Sequence, residues 1–267
     1  RWVILGGVFS VQSAVSIAAC SFGPLAPFLR EDLGITRLEI GLFSSLISLA
    51  SVLFSIPSGW LVDRFGVRRL LLLGPAMFGL VFTLLWGVSS IGAAYAVIFV
   101  ASIGYVFVTP TTTVALVRWF PQNIRATAIS IKQSALTIGS SLGAVMIPAL
   151  AISHGWRSTV VIVGLAGVLV VLLNFTVYRE PVLRSNAVPV YPLASATLRR
   201  VVTNGRLLRL GLAGIVYYAM QSSIASYLVL QMVEVRAYSV VVAGTFLMAT
   251  NLGGTAGRVM WGVLSDR

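Results

Sequence analysis

Long apolar runs without a charged residue limit what this chain can fold into more than any other feature. No Asp, Glu, Lys or Arg occurs from Ile40 to Val62, and none occurs from Leu70 to Val117. As a helix, about 20 consecutive apolar residues cross the roughly 30 Å hydrocarbon core of a bilayer. The continuous apolar character excludes membrane strands, which alternate apolar and polar residues. The sequence therefore predicts an all-α membrane protein.

Composition agrees with a membrane environment. Hydrophobic residues make up 58% of the 267-residue chain and charged residues 10%, whereas soluble domains carry about 25% charged residues. Runs of sufficient length predict eight spans, near residues 2–29, 38–62, 70–89, 91–117, 127–152, 158–177, 207–233 and 239–264. The polar segment 179–206, rich in proline and arginine, is interpreted as a cytoplasmic linker between a six-helix unit, 1–178, and a second unit, 207–267.

Arginines are distributed unevenly between the loops. If the first span starts inside, the inner segments hold 14 arginines and the outer loops hold four. This bias predicts a multi-pass protein of the cell (inner) membrane with a cytoplasmic N-terminus. It also accounts for the formal charge of +12 without a nucleic-acid partner. The linker arginines leave a second interpretation open, in which this loop binds anionic headgroups of membrane lipids.

Catalytic and metal chemistry find little support in the sequence. The single cysteine, Cys20, cannot form an internal disulfide, and the single histidine, His154, cannot form a metal site alone. No carboxylate lies in the interior of a predicted span, so a membrane-embedded acid–base pair is also missing. We therefore expect neither an enzyme nor a metal or cofactor site.

A short motif occurs twice. Gly59–Arg64 (GWLVDR) follows the second span, and Gly262–Arg267 (GVLSDR) follows the eighth, 203 residues and six spans later. Because each copy ends the second helix of its unit on the same side of the membrane, the units are parallel repeats. Doubling the offset predicts about 400 residues and twelve spans. The chain is thus interpreted as a fragment with an incomplete second unit.

The residues around the first copy extend the motif to G-x-L-x-D-R-x-G-x-R-R. The matching positions are Gly59, Leu61, Asp63, Arg64, Gly66, Arg68 and Arg69, and the second copy matches at Gly262, Leu264, Asp266 and Arg267. This pattern resembles the signature loop of the major facilitator superfamily. The resemblance implies a bundle of two parallel six-helix repeats, the second truncated here, that rock against each other around a central site.

The resemblance also implies that these motif residues form a conformational latch. Asp63 would pair with neighbouring arginines and with the positive N-terminal end of a helix in the opposite half, and so hold the cytoplasmic side shut. Gly59 and Gly66 are expected to allow a close backbone approach and a tight turn. We expect the partner helix of Asp63 to lie beyond Arg267.

Lys132 is the candidate for substrate binding with the strongest physical argument. It follows Asn123, a candidate helix start, by nine residues, which places it about 13 Å along the fifth span. A lysine near the midplane costs roughly 2.5 to 3.5 kcal/mol on insertion scales. Three interpretations stay open: an anion-binding group, an ion pair with an acid of a further helix, and a side chain that snorkels to the cytoplasm.

Other polar residues that recur at helical spacing are candidates to complete a substrate cavity. They are Gln12 and Ser16 in the first span, Tyr105 and Thr109 in the fourth, Gln133 in the fifth, Tyr217 and Gln221 in the seventh, and Asn251 in the eighth. Each is suited to contact substrate or to hydrogen-bond a neighbouring helix. For Arg258 we expect a structural role, with a side chain that reaches the cytoplasmic surface.

Small residues predict two close helix contacts, and the family resemblance implies that they lie between the halves; for the serine face, direct substrate contact is the alternative. The first is a serine face of the second span, which consists of Ser44, Ser48, Ser51 and Ser55. The second is the pair Gly139 and Gly143 in the fifth span. Both patterns repeat at helical spacing, so each lies on one face of its helix.

The predicted function is a secondary active transporter that moves a small solute by alternating access. Lys132 and the lack of intramembrane acids favour an organic or inorganic anion, and the alternative is a multidrug or cationic-compound exporter. Many proton-coupled members of the superfamily carry an arginine where this chain has Val100, so a proton route there is not supported. The expected partners are the small-molecule substrate, a coupling ion where transport uses one, and membrane lipids, with a monomer as the functional unit.

Overall fold

The structure is a computed structural model that describes residues 1–178 and 203–266. Most of the predicted linker 179–206 and Arg267 lie outside the described residues. The described chain forms eight α-helices: α1 (Trp2–Ala19), α2 (Phe22–Leu33), α3 (Arg37–Phe65), α4 (Val67–Thr83), α5 (Ile91–Trp119), α6 (Arg125–Val177), α7 (Gly205–Glu234) and α8 (Val240–Ser265). The predicted all-α class is confirmed.

Seven helical segments of the described chain are long and apolar enough to cross a membrane. The longest runs from Gln122 to Thr176, but Gly155 interrupts it with φ 78° and ψ 154°. Glycine adopts such a positive φ readily, so α6 consists of two spans, which we call α6a (125–154) and α6b (156–177). The described chain thus contains the eight predicted membrane-length segments and is a multi-pass membrane protein.

The first span contains a break that the sequence analysis does not anticipate. α1 ends at Ala19 and α2 begins at Phe22. Pro24 has no backbone N–H and cannot donate to the Cys20 carbonyl, so the regular ladder of helical hydrogen bonds stops here. The span therefore consists of two helices and continues to Leu33.

Local sequence signals set both ends of α3. Thr36 accepts a 3.3 Å hydrogen bond from the Glu39 backbone N–H, and the Glu39 carboxylate accepts one of 2.7 Å from the Thr36 backbone N–H. This reciprocal pair is a capping box. At the other end, Gly66 has φ 83° and leads directly into α4. The tight turn predicted at Gly66 is confirmed.

Two buried apolar clusters occupy opposite ends of the bundle. One surrounds Val62 and Leu116, and the other surrounds Phe43. We call the first the Asp266 end, because α8 ends there against the start of α6. The second is the Glu234 end, because α7 ends there against α2 and α3.

α1 and α6a pack closely because Gly139 has no side chain. A Cβ at Gly139 would lie 2.5 Å from the Ser13 carbonyl oxygen, and one at Gly143 would lie 3.4 Å from the Ile17 carbonyl oxygen. The close contact predicted for these glycines is confirmed. Its expected place between the halves is wrong, because the partner is α1 of the same unit, and α6a meets α8 through another face.

The serine face of α3 meets α7. The Ser44 and Ser226 hydroxyl oxygens are 2.6 Å apart, and the Ser48 hydroxyl lies 3.3 Å from that of Tyr218. The other two serines of this face donate to carbonyls of α3 itself. The predicted contact with the second unit is therefore confirmed for the part of the face nearer the Glu234 end.

We expect Gly139→Ala to destabilise the protein by about 1 to 3 kcal/mol, because the added methyl group collides with the backbone of α1. The measurement is the midpoint of thermal unfolding in detergent. Gly167→Ala is the matched control, since no described atom outside the local backbone of the same helix lies within 4 Å of a Cβ at that position. Both variants gain the same helix propensity. Equal midpoints for the two variants would contradict the close contact.

Candidate functional site

Lys132 lies in the interior of the bundle. Its relative exposure is 0%, and its Nζ donates a 3.1 Å hydrogen bond to Thr113 Oγ1 on α5. Since α6 begins at Arg125, Lys132 lies roughly 11 Å along α6a. An ammonium group has three donors. Within residues 1–178 and 203–266, Thr113 satisfies one of them and no carboxylate is within ion-pair distance.

Polar side chains from α1, α5 and α6a meet near Lys132. Thr112 Oγ1 donates to Gln12 Oε1 over 3.4 Å, and the adjacent Thr113 accepts from Lys132. We call Gln12, Thr112, Thr113 and Lys132, together with Gln133 as the residue that follows Lys132, the polar cluster. Among the described residues, Gln12 Nε2 and Gln133 Oε1 are buried without a hydrogen-bond partner. Buried polar atoms are normally paired, so each of these two atoms lacks an expected hydrogen-bond partner.

Two predicted binding residues already use their polar groups within the protein. Ser16 is fully buried, and its hydroxyl donates to the Gln12 carbonyl of the same helix over 2.7 Å. The side-chain amide of Asn251 on α8 donates to Ser140 Oγ on α6a over 2.9 Å. These contacts have a structural role, and substrate contact at either residue stays a prediction.

Four other predicted residues make no side-chain hydrogen bond within the part of the chain that the structure describes. They are Tyr105, Thr109, Tyr217 and Gln221. The ring of Tyr105 packs 5.8 Å from that of Phe78, whereas Tyr217 is 61% exposed on α7. The structure does not bring these side chains to the polar cluster.

α8 follows α6a along the bundle, in a contact that we call the α6a–α8 seam. From the Glu234 end to the Asp266 end, the seam pairs Gly244 with Ala144, Asn251 with Ser140, Thr255 with Thr137, Arg258 with Gln133, and Gly262 with Ser130. The α8 residues are three, four or seven positions apart and so share one helix face. The seam joins the two units.

Asp266 binds the N-terminus of α6 at the end of this seam. Its carboxylate oxygens accept hydrogen bonds from the backbone N–H groups of Ala126, over 3.1 Å, and Thr127, over 2.6 Å. These first-turn N–H groups have no acceptor within the helix and carry the positive end of its dipole. A Cβ at Gly262 would overlap the Ser130 side chain, so the glycine allows the close approach.

The environment of Asp266 keeps its carboxyl group ionised. Hydrogen bonds from the Thr127 hydroxyl and backbone N–H, and then from Ala126, lower the pKa of Asp266 below its usual 3.8. A lowered pKa means that this contribution to stability is present above the usual pKa of 3.8 and is lost as pH falls through the lowered pKa of Asp266. The sequence analysis missed this partner, although the second motif copy contained the signal.

The first copy of the motif lies at the same end of the bundle. Its charged residues Asp63, Arg64, Arg68 and Arg69 are exposed. The Arg64 guanidinium lies 5.1 Å from the centre of the Trp60 ring. No described atom lies within 4 Å of a Cβ at Gly59, so the close approach expected there is made by no described residue. Binding of Asp63 to a helix N-terminus stays a prediction.

Glu234 ties the units together at the opposite end. Its carboxylate forms ion pairs with Arg30 of α2 and Arg37 of α3. Arg37 Nε donates to Glu234 Oε2 over 2.8 Å. Each end of the bundle therefore has a carboxylate from α7 or the end of α8 bound to the first unit.

Sequence comparison identifies the family. The sequence model of the Major Facilitator Superfamily matches residues 5–267. The chain belongs to this superfamily. The predicted family and fold are thereby confirmed, and the superfamily is one of membrane transporters rather than enzymes.

Two relatives of this superfamily member align with its whole length. One is a probable sulfoacetate transporter of Cupriavidus necator, and the other is a probable galactarate/D-glucarate transporter of Bacillus subtilis. Each is 25% identical to this chain, and each alignment covers 100% of the chain and 65% of the relative. The chain thus spans about 65% of the length of these relatives.

A solved structure shares the superfamily fold. It is that of a bacterial homolog to the human lysosomal transporter Spinster, in an inward-facing and unoccupied conformation, with a TM-score of 0.74 and 19% identity. The match covers 91% of this chain and 57% of that one. At this identity the likeness concerns the fold.

We expect Asp266→Ala to speed hydrogen–deuterium exchange of the Ala126 and Thr127 amides by about tenfold or more, because both lose their acceptor. Mass spectrometry of the peptide at the start of α6 measures the rate. Ser265→Ala, at an exposed neighbouring position, serves as the control and leaves the rate unchanged. Equal exchange in both variants would show that the carboxylate does not protect these amides.

Proposed function

We propose that this superfamily member is a secondary active transporter that moves a small organic anion across the cell membrane by alternating access. The observation that carries the proposal is the fully buried Lys132, whose described partner is a neutral threonine. A buried cation without a counter-charge is costly in a membrane. An anionic substrate would offset that cost.

The polar cluster suits an organic acid with hydroxyl groups. Lys132 Nζ and Gln12 Nε2 are donors for an acid group, and Gln133 Oε1 is an acceptor for a substrate hydroxyl. The two relatives whose alignments cover the whole of this chain are named for sulfoacetate and for galactarate/D-glucarate, which are anions of organic acids. This agreement supports an organic over an inorganic anion.

The charge distribution disfavours the alternative, a multidrug or cationic-compound exporter. All carboxylates of the described chain lie in connecting segments or near helix ends, and none lies near the middle of a membrane-length segment. A cation in the central region would therefore meet Lys132 without an opposing acid. The resulting repulsion favours anions.

The two ends suggest how access alternates. The arginine bias supports a cytoplasmic Asp266 end and N-terminus in the cell (inner) membrane. In this proposal 1–178 forms one half, 179–206 the linker, and 207–267 the start of the other half.

The Asp266 contact with α6 closes the cytoplasmic side and the Glu234 ion pairs close the external side, so that one contact opens while the other stays closed. One chain supplies all these groups, which supports a monomeric functional unit.

We expect Lys132→Gln to lower uptake of organic anions at least tenfold, because it removes the charge partner of a buried acid group. Uptake of sulfoacetate, galactarate and a cationic dye into proteoliposomes that contain the full-length protein measures the effect. Arg236→Gln, which changes an exposed arginine at the Glu234 end, is the control and retains uptake. Unchanged anion uptake in Lys132→Gln, or dye transport that exceeds anion transport in the unaltered protein, would contradict the proposal.

Asp63→Asn tests the proposed latch of the first motif copy. We expect the turnover number to fall several-fold while the substrate Kd stays within about twofold, because the latch acts on the conformational cycle rather than on binding. Transport kinetics and substrate binding to the detergent-solubilised protein provide the two numbers. A normal turnover number would contradict the latch, and the loop would then serve only to set the membrane orientation through its arginines.

A further inference from the structure

Arg258 of α8 contacts the backbone of α6a at the residue after Lys132. Its Nη1 donates a 3.0 Å hydrogen bond to the carbonyl oxygen of Gln133, the residue after Lys132. The hydroxyl pair Thr255–Thr137 lies one turn away along the same seam, on the side of the Glu234 end. The register of α8 on α6a therefore brings a guanidinium group to the turn of α6a in which Lys132 lies.

This hydrogen bond uses a small part of the binding capacity of the guanidinium group. A guanidinium group has five N–H donors, and the Gln133 carbonyl is the acceptor that the described chain supplies. The side chain is half-buried, so it is neither sealed in the protein nor extended into solvent. The unused donors match the two oxygens of a carboxylate group or two of the three oxygens of a sulfonate group.

Arg258 and Lys132 have no acidic partner in residues 1–178 and 203–266. Asp266, the acid of the same helix end, accepts hydrogen bonds from Ala126 and Thr127 instead. Two like charges near one turn repel each other, and low dielectric strengthens the repulsion. A single negative charge would offset half of this positive charge.

We infer that Arg258 binds a second acid group of the substrate, so that the transported anion carries two acid groups at opposite ends of a short chain. The inference rests on the proposed function, because Lys132 must bind the first group. It also replaces the purely structural role expected for Arg258 from its distance to the helix end. Arg258 is then a specificity-determining residue contributed by the second half of the transporter.

Matched anions that differ in the number of acid groups test the inference. Galactarate and galactonate share a hydroxylated six-carbon chain with two and one acid groups, and sulfoacetate and acetate form a shorter pair. Uptake into proteoliposomes with the full-length protein gives kcat/KM for each anion. We expect the unaltered protein to prefer the dianion in at least one pair.

Two variants separate the roles of the cations. Arg258→Gln should lower kcat/KM for the dianion about tenfold or more and for the monoanion less than threefold, because only the dianion loses a contact. Lys132→Gln should lower both. Arg258→Lys keeps a positive charge without the planar fork, so it should retain part of the dianion preference. The exposed-site variant Arg236→Gln should leave the preference unchanged.

The outcomes distinguish the inference from the proposed function. If Arg258→Gln lowers both anions equally or neither, or if the unaltered protein prefers the monoanion, the inference is wrong while the effect of Lys132→Gln still supports the proposed function. If Lys132→Gln changes neither anion, the proposed function fails and the inference fails with it. Should Arg258→Gln not fold, a dianion preference of Arg258→Lys equal to that of the unaltered protein would overturn the specific role of the guanidinium group.

Discussion

The α6a–α8 seam sets the register between the two units, and the rest of the site depends on it. Apolar side chains gain little by leaving lipid tails for one another, so close packing and hydrogen bonds must select the contact. Gly244 and Gly262 let the helices approach, and the pair Asn251–Ser140 fixes the register between them. A shift of one turn would part Asp266 from the α6 N-terminus.

The contacts of the second motif copy indicate which contacts the first copy can make. A glycine allows the helix end to approach its neighbour, and an aspartate four residues later reaches the exposed N–H groups of a helix start. Gly59 and Asp63 have the same spacing as Gly262 and Asp266. Since the units are parallel repeats, the first copy can present the same pair of groups to a helix of the second unit.

Local features could be predicted from the sequence, whereas the partners of helix faces could not. The membrane spans follow from the length of the apolar runs. The turn at Gly66 follows from the positive φ that glycine adopts readily. Helical spacing predicted Tyr105 and Thr109 as cavity residues, yet Thr113, one turn further along, binds Lys132. Helical periodicity identifies which residues share a helix face. Which of those residues makes a given contact depends on the position of one helix along the axis of its neighbour. Gly139 shows the same limit: its close contact was predicted, but not its partner.

Charge placement connects the fold with the proposed transport function. Asp266 and Glu234 lie at opposite ends, where they bind a helix N-terminus and two arginines, so the acids hold the halves together. Lys132 and Arg258 lie between these ends, and no carboxylate of the described residues forms an ion pair with either. Passage through a closed state removes water from both cations, and that cost falls when a bound anion neutralises them. In the proposed function, the charges that bind the anion therefore also favour movement of the loaded transporter over movement of the empty one.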